Sequence, residues 1–386
     1  GRNSMMPKNV LGIIYSNSYD ASLGALTARR TMGSVPFGGR YRLIDFALSN
    51  FVNCGITKVG VIANSNFHSL MDHIGSGRPW DLSRKVDGLT MLPPFTPTYA
   101  DSNNRIDTLA RIMDYISHSK QEYVLLMDSN FVCNMDLKKL MSFHSGKNAD
   151  ITVAYCTGVA PKLYNQAVVE LDITGKADKE KSSPVEEDTQ DVDTFKEDIN
   201  IDVKTNDDVN YLANVVLIRK ALLERLVADA LSYNHTTFEK DIIQNNVTHL
   251  NIYGYKAESW NCTIDSLETY YNANMALLDK KCRSELFPKD HPVLTKVRND
   301  MPVVYGINSN CTNSLVADGC QIEGTVKNCI VFRGVRVAKG AVVENSILMQ
   351  DAFVGEDAKL NCVILDKNTV ITPKKNLSGD KSYPLF

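Results

Sequence analysis

A six-residue hydrophobic period in the last quarter of the chain is the feature that most restricts the fold. From Leu315 onward, short apolar clusters alternate with turns of Gly, Asp, Asn or Lys. The positions that follow this period, with single-residue slips in its second half, are Val331, Val337, Val343, Met349, Val354, Leu360, Leu365 and Ile371. An antiparallel β domain does not explain a spacing of six, whereas a hexapeptide β-helix of stacked triangular coils does. The pattern therefore predicts a β-helix at residues 313–386.

The first 280 residues instead alternate strand-like and helix-like segments. Strands are predicted at residues 10–15, 58–63, 123–127 and 151–157, and helices at 43–54, 66–74, 106–116 and 136–145. A polar cap at Asn66 is expected to open the second of these helices. Strands that alternate with helices form a mostly parallel sheet covered on both faces. Because such sheets bind ligands beyond the carboxyl ends of their strands, we expect a site at that edge.

These two patterns divide the 386 residues into two domains, since a single core rarely grows beyond about 250–300 residues. We expect a cloning remnant and a short N-terminus at 1–9, an α/β domain at 10–280, a linker at 281–312 and the β-helix at 313–386. A charged excursion is expected at 174–208, because residues 178–208 carry twelve Asp or Glu against four Lys or Arg. Such composition is typical of a solvated surface segment.

Charge, hydropathy and cysteine spacing argue against several functional classes. A net charge of −3 argues against broad nucleic-acid binding. No apolar run approaches the roughly 20 residues of a membrane span and no signal peptide precedes the first strand, so we expect a cytoplasmic protein. Nine cysteines without a CxxC pair disfavour a zinc site. The apolar contexts of Cys54, Cys133, Cys156, Cys329 and Cys362 predict buried thiols in a reducing compartment.

The turn after the first strand stands where many α/β proteins carry a phosphate-binding loop. The apolar run 10–15 leads into SNSYDAS, residues 16–22, and then into a helix-compatible segment. Glycine-rich loops at this place cradle phosphate with backbone N–H groups. Here the turn contains no glycine, and the next one is Gly24. The turn is therefore either a phosphate site of another kind or a degenerate one.

The stretch VPFGGRYRLIDFALSNFVNCGI, residues 35–56, resembles the ADP-glucose pyrophosphorylase (glucose-1-phosphate adenylyltransferase) family, and the resemblance covers nearly the whole chain in order. It implies an α/β fold with a Rossmann-like nucleotidyltransferase domain of GT-A-like type, followed by a left-handed hexapeptide β-helix. It also implies a reaction in which glucose 1-phosphate attacks the α-phosphorus of ATP in line. Such chemistry depends on positioning, and on positive charge, including a divalent metal ion, that faces the triphosphate.

The nucleotide loop of that family is altered in this chain. Catalytic members read GGxGxRLxPLTxxRAKP before the PFGG segment, and an ungapped alignment places the three loop glycines on Asn17, Ser18 and Asp20. The loop arginine falls on Ser22 and the lysine on Met32. Side chains thus stand where backbone amides approach phosphate, and a carboxylate replaces a neutral position. The resemblance therefore implies that this loop does not bind ATP productively.

The two metal-binding carboxylates of the family are missing as well. Alignment of SNFVCNMD with the family's GDHIYKMD-like turn places Asn130 at the first aspartate, and alignment of WNCTID with WRDVGT places Cys262 at the second. An amide and a thiol are poor ligands for Mg²⁺, which prefers anionic oxygen. A second interpretation stays open, in which Asp128 and Asp265 replace the missing ligands.

Other site positions keep part of the family pattern. Asn64 stands for a base-contacting glutamine, Asn214 stands for a glycine beside the sugar, and DSNNRID replaces a GTADA segment. Both asparagines are candidates for weak residual substrate binding. Arg30, Arg40 and Arg42 are retained around the PFGG segment. In the family, basic residues in these segments serve an effector site or interfaces, and structural salt bridges are the alternative.

Together the losses make the chain most similar to the GlgD-type subunit of Gram-positive bacteria, the partner of a catalytic GlgC-type subunit. We expect a regulatory, catalytically impaired subunit for ADP-glucose synthesis in glycogen biosynthesis, with no metal of its own and Mg²⁺ only in the partner. It would act in a hetero-oligomer, a tetramer in this family, by shifting the partner's conformational equilibrium, and could form a homo-oligomer alone. The alternatives are an active nucleotidylyltransferase with an atypical metal site and a stand-alone sensor of sugar phosphate or nucleotide.

Overall fold

A seven-stranded sheet forms the centre of the N-terminal domain in the computed structural model. The structure describes residues 5–16, 20–63, 66–92, 105–158, 209–381 and 384–386, and the side chains of 20–22 and 209 lie outside this description. The charged excursion expected at 174–208 lies outside the described residues.

The strands and helices of this domain alternate along the chain as predicted. The strands are β1 (Val10–Tyr15), β2 (Pro36–Phe37), β3 (Tyr41–Arg42), β4 (Lys58–Ile62), β5 (Gly88–Leu92), β6 (Tyr123–Asp128), β7 (Phe131–Cys133), β8 (Ile151–Gly158), β9 (Val209–Arg219), β10 (Ile252–Lys256) and β11 (Asn261–Thr263). The helices are α1 (Ile44–Asn53), α2 (His68–Ile74), α3 (Arg105–Arg111), α4 (Met113–Ser117), α5 (Leu137–Gly146), α6 (Lys220–Ser232), α7 (Leu267–Ala276) and α8 (Lys280–Leu286). Short 3₁₀ segments lie at Pro7–Asn9, Asp20–Thr27, Met32–Ser34, Arg78–Trp80 and Gln244–Asn246, and a π-helical segment at Phe238–Ile243.

Two helix starts show where capping was and was not predictable. Asp136 accepts hydrogen bonds from the backbone of Lys138 and Lys139 and begins α5, as expected. The prediction of a polar cap at Asn66 is wrong. That residue has a left-handed φ of 58°, and α2 begins at His68 after Phe67 without a side-chain cap. Among the described residues, no helix is long and apolar enough to cross a membrane.

The strand order in the main sheet is β10-β8-β9-β6-β1-β4-β5. All neighbouring pairs are parallel except the two that include β9, which runs antiparallel to both β6 and β8. The mostly parallel sheet predicted from the sequence is therefore confirmed. Two further strand pairs, β2 with β3 and β7 with β11, are antiparallel and lie outside this sheet.

Both faces of the sheet are covered by helices. Along β1, Val10 and Ile14 face one hydrophobic cluster, whereas Leu11, Ile13 and Tyr15 face another. Helices α1, α2 and α5 contribute to the first cluster, and α3, α4 and α6 to the second. Since each fully buried aliphatic side chain contributes about 1.5–3 kcal/mol, these layers hold the central strands firmly in place.

The C-terminal domain is a β-helix of parallel strands. Its strands are β12 (Val304–Tyr305), β13 (Asn310–Thr312), β14 (Leu315–Val316), β15 (Gln321–Ile322), β16 (Thr325–Lys327), β17 (Ile330–Val331), β18 (Arg336–Val337), β19 (Val342–Glu344), β20 (Ile347–Leu348), β21 (Phe353–Val354), β22 (Lys359–Asn361), β23 (Ile364–Leu365), β24 (Val370–Ile371) and β25 (Asn376–Ser378). They form three sheets, in the orders β12-β15-β18-β21-β24, β13-β16-β19-β22-β25 and β14-β17-β20-β23. The β-helix predicted from the six-residue period is confirmed.

One position of the predicted period is wrong by a single residue. The other seven positions lie in the interior cluster of the β-helix, but Met349 does not. The interior residue is Leu348, which stands in register with Val331 on one side and Leu365 on the other. Met349 faces outward and packs against the N-terminal domain. Both residues are apolar, so hydropathy alone did not distinguish them.

The two domains share a third hydrophobic cluster, which we call the interdomain core. It combines outward-facing β-helix residues with residues of the PFGG region and α7, among them Leu23, Met32, Phe37, Phe46, Tyr270, Phe332, Ile347, Met349 and Ile364. Tyr271 also donates a hydrogen bond to the Asn345 carbonyl across the boundary, at 2.6 Å. The β-helix is therefore packed onto the α/β domain by buried apolar surface.

The PFGG segment forms a tight turn at the edge of this core. It connects β2 to β3, and its two glycines have φ values of 66° and 94°. Side-chain-bearing residues rarely adopt these conformations, so the turn needs glycine at both places. Gly38 N–H donates to Asn274 Oδ1 on α7 at 2.9 Å, which attaches the turn to the adjoining helix.

All nine cysteines are free thiols. The five expected to be buried, Cys54, Cys133, Cys156, Cys329 and Cys362, are buried. Burial raises the pKa of the Cys54 and Cys329 thiols to about 12, so both are protonated at neutral pH. These thiols act as small apolar groups in the cores.

Candidate functional site

The carboxyl ends of β1, β4 and β6 meet at one edge of the main sheet, which we call the carboxyl edge. Ser16 N–H donates to the Ile62 carbonyl at 3.1 Å, and Ser129 N–H donates to the Tyr15 carbonyl at 3.0 Å. Gly33 N–H donates to the Ser16 carbonyl at 2.9 Å, which brings the chain after the turn back to the same edge. This is where parallel sheets hold ligands, and where the sequence leads us to expect a site.

Among the five altered loop positions, the structure describes the side chain of Met32. Asn17 and Ser18 lie outside the described residues, and so do the side chains of Asp20 and Ser22, whose backbone belongs to the 3₁₀ segment Asp20–Thr27. Met32 is fully buried in the interdomain core. A buried thioether brings no positive charge to the carboxyl edge, where the family's lysine would face phosphate.

Asn130, at the first predicted metal position, is held by the strand pair next to the carboxyl edge. Its side-chain amide nitrogen donates to the Ile264 carbonyl at 3.0 Å, and its backbone carbonyl accepts from Ile264 N–H at 2.9 Å. Its Oδ1 atom is buried and has no hydrogen-bond partner among the described residues. The side chain thus offers a single neutral oxygen, fixed in place by a backbone contact.

Cys262, at the second predicted position, lies on the same strand pair. It stands opposite Val132 in the register of β11 and β7, and Asn130 precedes that pairing by two residues. Burial raises the pKa of the Cys262 thiol to about 12, and the nearby Asp265 carboxylate adds to the effect. The thiol is therefore protonated at neutral pH, whereas metal binding requires the thiolate.

Asp128, the alternative first ligand, is already bound by a cation of the chain itself. It ends β6, is fully buried, and accepts a hydrogen bond on Oδ2 from Arg105 Nη2 at the start of α3. Arg105 Nε also lies 4.0 Å from Glu239 Oε1 on the π-helical segment, and its guanidinium carbon lies 4.6 Å from the centre of the Tyr15 ring. We call Tyr15, Arg105, Asp128 and Glu239 the Arg105 cluster.

Asp265, the alternative second ligand, belongs to the start of α7. Its Oδ1 accepts from the Thr269 hydroxyl at 3.1 Å, and its N–H donates to the same hydroxyl at 3.0 Å. Ser266 and Thr269 form a reciprocal capping box one residue further on. The Asp265 side chain is therefore part of the structure that begins the helix.

The residues at this edge do not fit a Mg²⁺ ion. Mg²⁺ requires hard oxygen ligands, usually one or two carboxylates, in near-octahedral geometry. The family positions offer the neutral amide of Asn130 and the protonated thiol of Cys262, while Asp128 is paired with Arg105. In the part of the chain that the structure describes, no three His, Cys, Asp or Glu side chains are grouped to hold a metal ion.

Of the two asparagines expected to keep residual substrate contacts, the structure describes only Asn214. Asn64 lies outside the described residues. Asn214 lies in β9 with a left-handed φ of 55°, beside the irregular pairing of β9 with Val153 and Tyr155 of β8. Asparagine and glycine both adopt this conformation more readily than most residues, so the position accepts either.

The three retained arginines lie where the two domains meet. Arg30 Nη2 is 2.6 Å from Asp366 Oδ1 of the β-helix, and Arg40 Nη2 is 3.7 Å from Asp318 Oδ2. Arg42 Nη1 donates to the Ser34 carbonyl at 2.5 Å. Burial, together with the nearby Arg30, lowers the pKa of Arg42 to about 10. Arg30 and Arg40 thus make the salt bridges that were the structural alternative.

Two further cations join these arginines, and the sequence reasoning missed both. Burial, with Arg42 and Arg30 nearby, lowers the pKa of Lys367 to about 8. Burial, with Arg40 nearby, lowers the pKa of Arg333. We call Arg30, Arg40, Arg42, Arg333 and Lys367 the interdomain basic cluster. The missed residues come from β-helix turns about 290 residues or more after the arginines, and no local pattern connects them.

A separate cavity of about 150 Å³ lies beside β7, between the start of α5 and the connection from β10 to β11. Its lining residues are Cys133, Asn134, Met135, Asp136, Lys139, Tyr255, Lys256, Ala257, Glu258 and Ser259. Two lysines and two carboxylates face it, so the charge of its lining is balanced. It therefore offers no net attraction to a phosphate group.

Comparison with known proteins gives matches along most of the chain. Residues 21–279 match the nucleotidyl transferase family, and residues 303–383 match the GlmU-like, C-terminal hexapeptide family. The chain is 31% identical over 382 residues to "Glycogen biosynthesis protein GlgD" of Bacillus subtilis, covering 99% of this chain and 96% of the relative. It is 32% identical over 341 residues to the protein of the same name from Geobacillus stearothermophilus, covering 88% and 84%. It is 31% identical over 340 residues to "Glucose-1-phosphate adenylyltransferase" of Pseudothermotoga lettingae, covering 87% and 76%.

Proposed function

The chain belongs to the glucose-1-phosphate adenylyltransferase family, with relatives named for glycogen biosynthesis, and we propose that it is a regulatory subunit of that enzyme with little or no activity of its own. In this proposal it binds a catalytic subunit that makes ADP-glucose from ATP and glucose 1-phosphate. It modulates that subunit through their shared interface, in a hetero-oligomer that we expect to be a tetramer. Mg²⁺ belongs to the catalytic partner only.

The observation that carries the proposal is the chemistry at the two metal positions. In-line attack on the α-phosphorus of ATP develops negative charge on oxygen, and a divalent ion usually neutralises most of it. Here a neutral amide and a protonated thiol stand at those positions, and the nearby Asp128 is paired with Arg105. At these two positions the chain therefore lacks the anionic ligands that would hold a metal ion to stabilise the charge of the transition state.

The charge of the Arg105 cluster supports the same conclusion. One guanidinium faces two carboxylates, Asp128 and Glu239, so the cluster carries a net charge of about −1 when all three are ionised. A triphosphate brought to this edge would meet like charge in a buried setting. The cluster disfavours ATP binding, and it also disfavours the alternative of an active enzyme that uses Asp128 as a metal ligand.

Association with a partner is supported by one end of the β-helix. Val297, Met301, Val304, Tyr305 and Ile307 are exposed there, and we call them the first-coil surface. Residues 301–316 contain no charged residue, and β12, β13 and β14 are the edge strands of their sheets. Natural proteins usually protect such edges with charge or cover them. An exposed apolar end of this kind is suited to packing against another subunit.

At the opposite end of the β-helix, the chain itself covers one of the three sheets. Ile364 N–H donates to the Leu385 carbonyl at 2.7 Å, and Leu385 N–H donates to the Cys362 carbonyl at 3.0 Å. The C-terminal segment thus pairs with β23 at the end of its sheet. This contrast favours the first-coil surface as the end that binds a partner.

Regulation by a small anion is supported by the interdomain basic cluster. It brings together five cations, with the carboxylates of Asp45, Asp300, Asp318, Asp351 and Asp366 nearby, and burial lowers the pKa of three of the cations. An anion bound between the domains would relieve this repulsion, and it would do so only in the conformation that brings the cations together. We propose Arg30, Arg40 and Arg42 as effector or interface residues on this basis.

The test is a titration of this chain into a catalytic subunit of the family, with activity and mass followed together. We expect a complex of defined mass, and a change in kcat or in effector sensitivity that saturates at the same ratio. Ile307→Asp should weaken the complex at least about tenfold, because it adds a charge to the fully exposed centre of the first-coil surface. Val86→Asp, on an exposed apolar residue of the other domain, is the matched control.

Mixing that produces neither a complex nor a kinetic change would reject the regulatory role. In that case, micromolar binding of a sugar phosphate or nucleotide by the isolated chain would support the sensor alternative. If Ile307→Asp forms the complex as well as wild type does, the regulatory role still stands, but the first-coil surface is rejected as the interface.

A further inference from the structure

Two carboxylates from distant parts of the chain face a single guanidinium at the carboxyl edge. Asp128 ends a central strand, and Glu239 lies on the π-helical segment 111 residues later. Arg105 bonds to the first and lies 4.0 Å from the second. The side chain of Asp128 is fully buried, that of Arg105 is 13% exposed and that of Glu239 is 24% exposed. The three charges therefore interact where water screens them weakly.

A pair of carboxylates around a buried cation is also the arrangement in which proteins bind hard divalent ions. Mg²⁺ and Mn²⁺ bind through one or two carboxylates and complete their coordination with water. In this chain the guanidinium lies within 4.0 Å of both carboxylates and against the ring of Tyr15. A divalent ion would have to displace a cation that cannot lose its proton at physiological pH.

The Tyr15 hydroxyl is a second, independent observation at the same place. Tyr15 is 5% exposed, and its Oη is buried without a hydrogen-bond partner among the described residues. The charges of Arg105, Asp128 and Glu239 all act on this hydroxyl. Buried hydroxyls nearly always have a partner, so an unsatisfied one beside two carboxylates is typical of a place that can hold a polar ligand.

We propose that Arg105 is an internal substitute for a divalent cation: it holds closed a latent metal site formed by Asp128 and Glu239. With Arg105 in place the edge is structurally stable and closed to metal ions. With Arg105 removed, the two carboxylates lose the cation that they share and bind a hard divalent ion in its place. This inference concerns the isolated chain and does not depend on whether the chain modulates a partner.

The experiment measures Mn²⁺ binding to the full-length chain at pH 7, from the electron paramagnetic resonance signal of free Mn²⁺. The variants are Arg105→Gln, which removes the cation, and the double variants that combine it with Asp128→Asn or with Glu239→Gln. Arg111→Gln is the matched control, because Arg111 is an exposed arginine at the end of the same helix. Circular dichroism establishes that each variant is folded.

We expect Arg105→Gln to gain one Mn²⁺ site that is at least about tenfold tighter than any site in wild type or Arg111→Gln. Each double variant should lose that gain. Without Mn²⁺, Arg105→Gln should unfold about 5–10 °C below wild type, because the buried Asp128 carboxylate has lost its ion pair with Arg105. Mn²⁺ should raise the Tm of this variant.

Two results would overturn the inference. One is wild type that binds Mn²⁺ as tightly as Arg105→Gln in a manner that depends on Asp128. The other is a folded Arg105→Gln that binds no Mn²⁺. Should Arg105→Gln fail to fold, Arg105→Met replaces it, because methionine also removes the charge and keeps an unbranched side chain. We expect the same gain of a Mn²⁺ site, and a folded Arg105→Met without that gain would equally refute the proposal.

Discussion

The carboxyl edge of the sheet and the boundary between the domains have different arrangements of charge. At the edge, two carboxylates face one guanidinium in the Arg105 cluster. At the boundary, the five cations of the interdomain basic cluster lie close enough together to lower one another's pKa, although the carboxylates of Asp45, Asp300, Asp318, Asp351 and Asp366 are also near. An adenylyltransferase needs positive charge at the edge, because its triphosphate lies there. In this chain the clustered cations lie at the boundary instead.

The difference suggests that the two regions respond to different requirements. The boundary combines its cations with a well-packed apolar core and a PFGG turn that requires glycine, so its geometry is strictly defined. The edge keeps the strands, but a neutral amide and a protonated thiol stand at the two predicted metal positions. We therefore propose that the boundary, rather than the edge, serves the regulatory role.

The largest effect on stability should come from truncating a buried side chain of the interdomain core. Phe332 is a fully buried β-helix residue of the interdomain core, and Phe332→Ala should lower the free energy of unfolding by about 3–5 kcal/mol through lost burial and an unfilled cavity. Phe353→Ala, on a half-buried ring that packs against Arg336 outside this core, should cost about 1 kcal/mol. Urea unfolding measures both. Equal losses would mean that the interdomain core contributes no more than the outer surface of the β-helix.

A smaller effect on stability should come from an anion that binds to the interdomain basic cluster. Sulfate at about 50 mM should stabilise wild type by about 1–2 kcal/mol more than chloride at equal ionic strength, as for a ligand of millimolar affinity. Arg333→Met removes one of the five cations and should reduce this gain by about half. Arg111→Gln, on the exposed end of α3, should retain it. An identical gain in all three proteins would show only the general stabilisation that sulfate gives.

The smallest effect concerns the pH dependence of Lys367. Because burial and nearby arginines lower its pKa to about 8, the folded protein releases this proton at a lower pH than the unfolded chain, in which a lysine pKa is about 10.4. Its unfavourable contribution is thus fully present below pH 8 and is relieved as the pH rises from about 8 to about 10.4. Lys367→Met should therefore be more stable than wild type at pH 7, and the difference should shrink by pH 9.5.

Urea unfolding at the two pH values measures this difference. Lys339→Met, on an exposed lysine of the same domain, should follow wild type at both. A Lys367→Met protein that is less stable than wild type at pH 7 would show that its surroundings stabilise the charged lysine, which contradicts the lowered pKa of Lys367.

Much of the fold followed from the sequence, because its signals are periodic and local. The interior of a β-helix must be apolar at every coil, so the six-residue spacing was visible in the sequence. The one error was that Met349 was predicted in the interior, where Leu348 lies. The alternation of strands and helices gave the mostly parallel sheet, and the PFGG motif corresponds to a turn that needs glycine. In each case neighbouring residues carry the information.

The site was less predictable, because its contacts join residues that are far apart in sequence. The replacement of GTADA by DSNNRID contained Arg105, but nothing local indicated that it would bind Asp128 or face Glu239. Arg30 forms its ion pair with Asp366 only because the β-helix packs against the first domain. Asn17, Ser18 and Asn64 lie outside the described residues, so their roles stay predictions.

The most direct test of the central claim is ADP-glucose synthesis by this chain alone. Assays with saturating ATP, glucose 1-phosphate and Mg²⁺ should compare it with a catalytic subunit of the same family. The loss of both metal carboxylates predicts a kcat at least about 10³-fold lower than that of the catalytic subunit. A kcat within about tenfold of that enzyme, abolished by Asp128→Asn, would show instead that the edge is an active site and would contradict this account.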